Sequence, residues 1–121
     1  MKGLALDDGD AYLLYVAAGA LLKQERLSEA LAKYDALLQR EPNHVAALSE
    51  RGLLLAELDR FDAALGDVAR AVALGPQFAE AHLNRGAIFG QLKRSDEAIA
   101  SFDAALKLNP NLVDAWQGRG N

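Results

Sequence analysis

The chain has 121 residues, a net charge of -4 and no cysteine; 51% of its residues are hydrophobic and 25% are charged. A chain of this length and composition can form one globular domain with its own core. The negative balance argues against nucleic acid as the main partner. The lack of cysteine excludes disulfides, thiolate nucleophiles and cysteine-ligated metal sites.

The first predicted element is a helix that follows a short N-terminal extension, residues 1–10. Residues 12–22 carry no charge, and an uncharged run of this length resembles the core of a secretion signal. Asp7, Asp8 and Asp10 precede it, however, where a secretion signal requires positive charge, and the run is too short to span a membrane. We therefore predict a packed helix, no membrane contact and a cytoplasmic location.

From residue 11 onward the sequence repeats with a period of 34 residues. Independent markers that share this period are Pro42, Pro76 and Pro110, the alanines Ala30, Ala64 and Ala98, and the Arg-Gly pairs that begin at Arg51, Arg85 and Arg119. A fixed period of this size indicates an array of similar structural units. The predicted units are residues 11–44, 45–78 and 79–112, and a fourth, truncated unit covers residues 113–121.

Each unit is predicted to contain two helices. In the third unit, apolar residues recur at helical spacing on both sides of a break at residues 93–98. We expect Ser95 to cap the second helix, and the proline of each unit to follow the end of that helix. No segment alternates with period two over a useful length. The predicted fold class is therefore all-α, an α-solenoid of antiparallel helix pairs.

Two glycines lie inside predicted helices at the same place in their units, Gly52 and Gly86. Each costs about 1 kcal/mol relative to alanine at such a position, so a repeated glycine suggests a steric reason. We expect two helices to approach closely there. The large residues Tyr34, Val68 and Phe102 are expected to fill the space between the helices.

These positions resemble the tetratricopeptide repeat (TPR) pattern, which has a small residue at position 8, alanine at 20, an aromatic residue at 24 and proline at 32. Position 8 holds Ala18, Gly52, Gly86 and Gly120; position 20 holds Ala30, Ala64 and Ala98; position 24 holds Tyr34, Val68 and Phe102; position 32 holds the three prolines. The resemblance covers residues 11–121. It implies three TPR units and the start of a fourth.

The resemblance further implies a non-enzymatic protein–protein interaction scaffold that binds a peptide or protein segment in a concave groove lined by the first helix of each unit. The groove residues it implies are Tyr12, Tyr15, Val16, Leu22, Ser49, Glu50, Leu53, Glu57, Glu80, Leu83, Asn84 and Gln91. The beginning of this set is apolar and its later part is acidic. The apolar part indicates a contact surface, either for the hydrophobic anchor of a peptide or for a second copy of the chain. The acidic part would suit a peptide with some positive charge, but we interpret these carboxylates by themselves as a solvated face.

Two alternatives remain open at this point. In the first alternative to peptide binding, the chain is a self-association module that forms a homodimer through its apolar first helix or its truncated C-terminal helix. In the second, it is the substrate-recruiting arm of a larger enzyme such as a glycosyltransferase. Chaperone-binding TPR domains clamp a peptide carboxylate with lysine, arginine and asparagine at five set positions. Here those positions hold Tyr15, Gly19, Glu50, Glu80 and Asn84. We therefore do not expect a carboxylate clamp.

The sequence supplies no constellation for catalysis. His44 and His82 are not brought together by helical spacing and accompany no metal-binding motif, so we interpret both as structural. Arg51 and Arg85 are expected to pack through their stems and to meet carboxylates. We assign no catalytic residue, cofactor or metal.

Overall fold

The computed structural model of the protein describes residues 10–111, which form six α-helices and, within that range, no strand. The helices are α1 (Ala11–Lys23), α2 (Leu27–Arg40), α3 (Val45–Glu57), α4 (Phe61–Leu74), α5 (Ala79–Gln91) and α6 (Ser95–Leu108). The predicted all-α fold of helix pairs is confirmed. We call α1, α3 and α5 the A helices, and α2, α4 and α6 the B helices. Most of the predicted extension (residues 1–9) and the whole predicted fourth unit, with Trp116, lie outside the described residues.

Each A helix ends in the same tight turn, built around a residue with a positive φ. These residues are Glu25, Asp59 and Lys93, with φ angles of 60°, 64° and 63°. In the first unit the Glu25 amide donates to the Leu22 carbonyl at 2.9 Å and the Arg26 amide donates to the Leu21 carbonyl at 2.9 Å. This pair of bonds is a Schellman motif. It reverses the chain within three residues and makes the two helices of each unit antiparallel.

An arginine occupies the cap position before each B helix. In the third unit this residue is Arg94, whose guanidinium donates two hydrogen bonds of 2.6 Å to the carboxylate of Glu97 in the first turn of α6. The prediction that Ser95 caps the helix is wrong, because Ser95 is already the first helical residue. The Schellman turn at Lys93 sets this register, since it fixes where the helical backbone begins.

The predicted close approach at Gly52 and Gly86 is confirmed. A Cβ atom at Gly52 would lie 2.6 Å from Val68 Cγ1 and 3.2 Å from the Ala64 carbonyl oxygen. At Gly86 it would lie 2.8 Å from two ring carbons of Phe102. The A and B helices of one unit therefore meet where the A helix has no side chain, and the large residue of the B helix fills the space.

The buried core continues from unit to unit. One cluster joins Leu14 and Tyr34 of the first unit, Leu48 and Ala71 of the second, and Ala81 of the third. An A helix takes part in each of these contacts between units: α3 packs against α2, and α5 packs against both α3 and α4. A single helix pair cannot bury both of its faces, so stacking on the next unit adds burial that the pair alone does not have.

The last described helix presents an apolar face to solvent. Ile99 and Leu106 of α6 are 58% and 38% exposed. Their counterparts 34 and 68 residues earlier are half-buried or buried, namely Leu31, Leu65, Leu38 and Val72. The face that stacking covers in the first two units is thus exposed on α6.

Candidate binding surface

The twelve residues predicted to line a groove all lie on the A helices but differ in exposure. Tyr12, Val16, Glu57, Glu80 and Gln91 are exposed, whereas Tyr15, Leu22, Glu50 and Leu53 are half-buried. These nine residues form the surface that we call the A-helix face. The other three, Ser49, Leu83 and Asn84, are at most 9% exposed, so they offer little surface to a ligand.

At the joint between the first two units, the carboxylate of Glu50 accepts hydrogen bonds from two tyrosines. The Tyr15 hydroxyl donates to Oε2 and the Tyr34 hydroxyl donates to Oε1, each at 2.6 Å. Burial, reinforced by the hydrogen bond to Glu50, raises the pKa of both tyrosine hydroxyls. The two hydroxyls therefore stay neutral near physiological pH. They orient the carboxylate without cancelling its charge.

The next joint uses a different polar pair at the equivalent place. Asn84 donates from Nδ2 to the Ser49 hydroxyl at 2.9 Å and to the Ser49 carbonyl at 3.1 Å. Ser49 and Asn84 lie 34 residues after Tyr15 and Glu50, so this contact joins the same two helix positions as the contact between Tyr15 and Glu50. A buried polar group needs a partner. Ser49 and Asn84 satisfy each other and hold α3 to α5.

Both histidines make contacts with neighbouring residues. The Ala47 amide donates to Nδ1 of His44 at 3.1 Å, which caps α3, and the His44 ring lies 5.3 Å from the Tyr15 ring. Nε2 of His82 lies 2.9 Å from the Pro76 carbonyl oxygen, consistent with donation from the ring nitrogen.

Among residues 10–111, no three His, Asp or Glu side chains lie close enough together to hold a metal ion. No helix in that range is both long and apolar enough to cross a membrane.

Comparison with protein families decides the class of this fold. A sequence profile described as tetratricopeptide repeat matches residues 18–87, and a second profile with the same description matches residues 79–112. The chain belongs to the tetratricopeptide repeat family. Its general function is therefore that of a protein–protein interaction module. No curated protein matches the chain significantly.

Solved TPR structures superpose on most of the chain. The first TPR domain of Spaghetti (RPAP3), solved with the HSP90 peptide SRMEEVD, has a TM-score of 0.79 and 28% identity and matches 87% of this chain and 83% of that one. The Arabidopsis OM64 TPR domain has a TM-score of 0.77 and 25% identity, with 83% of each chain covered. The second TPR domain of Spaghetti, solved with the same peptide, has a TM-score of 0.76 at 18% identity, with 82% of this chain and 92% of that one covered.

On the side of the TPR units away from the A-helix face, Arg51 joins two units. Its guanidinium donates to Asp67 of the same unit at 2.7 and 2.9 Å and to Asp35 of the preceding unit at 2.8 Å. The expected pairing with carboxylates is confirmed for Arg51, whereas Arg85 donates to the Ser101 hydroxyl at 3.1 Å. A crevice of about 370 Å³ lies here, with Arg51 and both aspartates in its lining. Because these charges satisfy one another, we interpret the crevice as structural.

Sequence reasoning missed the role of Tyr34 in the TPR array. We expected Tyr34 to fill space between helices, and its ring is indeed fully buried. Its hydroxyl also reaches Glu50 in the next unit. The signal available in the sequence was that only the first unit has a tyrosine at this position, where the others have Val68 and Phe102.

Proposed function

We propose that this TPR chain is a non-enzymatic interaction module that holds a peptide or protein segment along the A-helix face, in a concave groove. The observation that carries the proposal is the apolar exposure on α1, where Tyr12 is 72% and Val16 is 48% exposed. Large apolar side chains exposed side by side on a folded domain usually mark a contact surface. Tyr12 and Val16 lie one helical turn apart, so they present one continuous strip.

The similarity to solved TPR domains supports the class of ligand but not its identity. The first TPR domain of Spaghetti, at 28% identity, was solved with a peptide that contains two glutamates and an aspartate. The A-helix face of this chain carries three glutamates, Glu50, Glu57 and Glu80. Like charges brought together destabilise a complex. We therefore propose that this chain binds a peptide, but not an acidic peptide such as the one bound to Spaghetti.

A selection experiment tests this function directly. Peptides selected from a random twelve-residue library on the immobilised chain are labelled, and their affinities are measured by fluorescence anisotropy for the parent chain, Val16→Glu and Ile99→Glu. Both substitutions place a charge at an exposed apolar residue, but Ile99 lies on α6, away from the A-helix face. We expect Val16→Glu to weaken binding about tenfold or more, and Ile99→Glu to leave it unchanged. Equal effects, or a selection that enriches no peptide, would contradict the proposal.

Self-association through α1 is a second candidate, favoured by the same exposed strip. In that case Tyr12 and Val16 bury against a second copy, and the chain forms a homodimer. Light scattering over a concentration series separates the two functions, because a homodimer gives a mass that rises with concentration and returns to the monomer value in Val16→Glu. A mass that stays monomeric removes this candidate. A role as the recruiting arm of a larger enzyme would use the peptide site in the same way.

A further inference from the structure

The A-helix face is acidic, and its glutamates form no ion pair within residues 10–111. These glutamates are Glu50, Glu57 and Glu80, and the A helices contain one lysine, Lys23, at the end of α1. Among the described residues, four ion pairs form, and each joins an arginine to a carboxylate outside this face. The charge of the A-helix face is therefore left uncompensated within residues 10–111. A ligand of opposite charge would gain from this field.

Glu50 is the acid best placed to recognise a single cation. It is half-buried, and the hydroxyls of Tyr15 and Tyr34 hold one of its oxygens each. A carboxylate oxygen has more than one acceptor site, so each oxygen can accept a further hydrogen bond from a ligand. Because the tyrosines already fix the carboxylate, binding of a ligand costs little conformational entropy at Glu50. Glu80 lies near enough to Tyr15 for its charge to act on the tyrosine hydroxyl, so two acids share this part of the face.

Apolar surface on α1 adjoins this acid, which lies on α3. Tyr15, which holds Glu50, lies on α1 between the exposed residues Tyr12 and Val16. An extended segment that places one side chain near Glu50 therefore has neighbouring side chains over this apolar strip. The surface thus combines an oriented negative charge with an adjacent apolar contact.

We infer that the A-helix face selects a basic segment, in which a lysine or arginine side chain meets Glu50 and a neighbouring aliphatic or aromatic side chain lies on Tyr12 and Val16. This inference rests on the proposed peptide-binding function and adds the sign and place of the charge. Charge-assisted hydrogen bonds to a partly buried carboxylate supply specificity as well as affinity.

The composition of the selected peptides provides the first test. We expect the peptides that bind the parent chain to be enriched in lysine and arginine next to apolar residues, and depleted in aspartate and glutamate. The affinity of the best basic peptide should fall about tenfold in Glu50→Gln, equivalent to about 1.4 kcal/mol, because a charge-assisted hydrogen bond is replaced by a neutral one. Raising the salt concentration should weaken the parent complex more than the Glu50→Gln complex.

Two further variants separate charge from folding. Glu80 is exposed and forms no hydrogen bond through its side chain within residues 10–111, so Glu80→Gln should keep the fold and still lower the affinity for the basic peptide severalfold. Glu41→Gln is the matched control, since Glu41 is an exposed acid at the end of α2, away from the A-helix face, and its replacement should leave affinity unchanged. Equal losses in Glu80→Gln and Glu41→Gln would show a general charge effect and overturn the inference.

The outcomes also distinguish this inference from the function on which it rests. Neutral or acidic peptides that bind the parent chain and lose affinity in Val16→Glu would leave the peptide-binding function intact and overturn the charge preference. A selection that enriches no peptide would overturn both. Basic peptides that keep their affinity in Glu50→Gln and Glu80→Gln would also overturn the assignment of the cation to these acids.

Discussion

The replacement of Gly52 by alanine tests the helix packing that builds the array. The added Cβ atom would lie 2.6 Å from Val68 Cγ1, 3.2 Å from the Ala64 carbonyl oxygen and 3.3 Å from Asp67 Cβ. The first distance is far below van der Waals contact, and the second involves backbone that cannot move alone. Overpacking of this kind costs about 1–3 kcal/mol. The better helix propensity of alanine returns about 1 kcal/mol.

We therefore expect Gly52→Ala to lower the free energy of unfolding by about 0–2 kcal/mol, whereas the matched control rises. The control is Gly66→Ala, because Gly66 lies inside α4 and a Cβ atom there meets nothing within 4 Å. That variant should gain about 1 kcal/mol from propensity alone. Urea unfolding followed by circular dichroism measures both.

A double-mutant cycle identifies the cause. Val68→Ala removes the methyl group that collides with the new Cβ atom, so the clash at Gly52→Ala should be smaller in the Val68→Ala background than in the parent chain. A Gly52→Ala variant that is as stabilised as Gly66→Ala would refute the close approach. Additive effects of Gly52→Ala and Val68→Ala would refute the assignment of the clash to Val68.

Three further predictions follow from the same structure. Lys93→Gly should raise the free energy of unfolding by up to about 1 kcal/mol, because Lys93 has a φ of 63° and glycine adopts this conformation without strain; a loss of stability in urea unfolding would contradict this. Asn84→Ala should lower the free energy of unfolding by about 1–3 kcal/mol in the same assay, since Ser49 loses its buried hydrogen-bond partner. An unchanged free energy of unfolding would show that the Ser49–Asn84 pair does not stabilise the contact between α3 and α5. The pKa of Tyr15 and the pKa of Tyr34 are both raised in the folded chain. Because an unperturbed tyrosine has a pKa of about 10, the two hydroxyls contribute fully to stability below about pH 10. This contribution is lost as the pH rises from there through the folded pKa values. Urea unfolding between about pH 9 and about pH 11 should show this loss, at up to about 1.4 kcal/mol per pH unit for each tyrosine, and a Tyr15→Phe chain with the same pH dependence would contradict it.

Much of the fold follows from the period of the sequence. The spacing of the prolines and alanines predicts the units, and the glycines at Gly52 and Gly86 predict where the helices approach most closely. These features follow from the sequence because each acts locally or within one unit, where chain connectivity brings the residues together. The start of α6 was missed by one residue. Ser95 is a good cap by residue type, but the turn at Lys93 and Arg94 determines the helix start.

The candidate surface was predicted less completely, because it depends on how units stack. Ser49 and Asn84 have polar side chains at positions that a single unit leaves open, and only the next A helix buries them against each other. The attachment of Glu50 to both tyrosines also spans two units. A repeat pattern gives each residue its place within a unit. It does not predict which side chains pair between neighbouring units, because equivalent positions hold different residues in different units.

NMR mapping of a bound peptide would show whether the A-helix face is the binding surface of the chain. Backbone amide chemical shifts are recorded for the chain alone and with a peptide from the random library selection. We expect the shifted amides to concentrate in α1 and α3, around Val16 and Glu50, and to continue into α5. Shifts that concentrate instead in α2 and α4, around the crevice at Arg51, would contradict binding along the A-helix face and would place the peptide at that crevice.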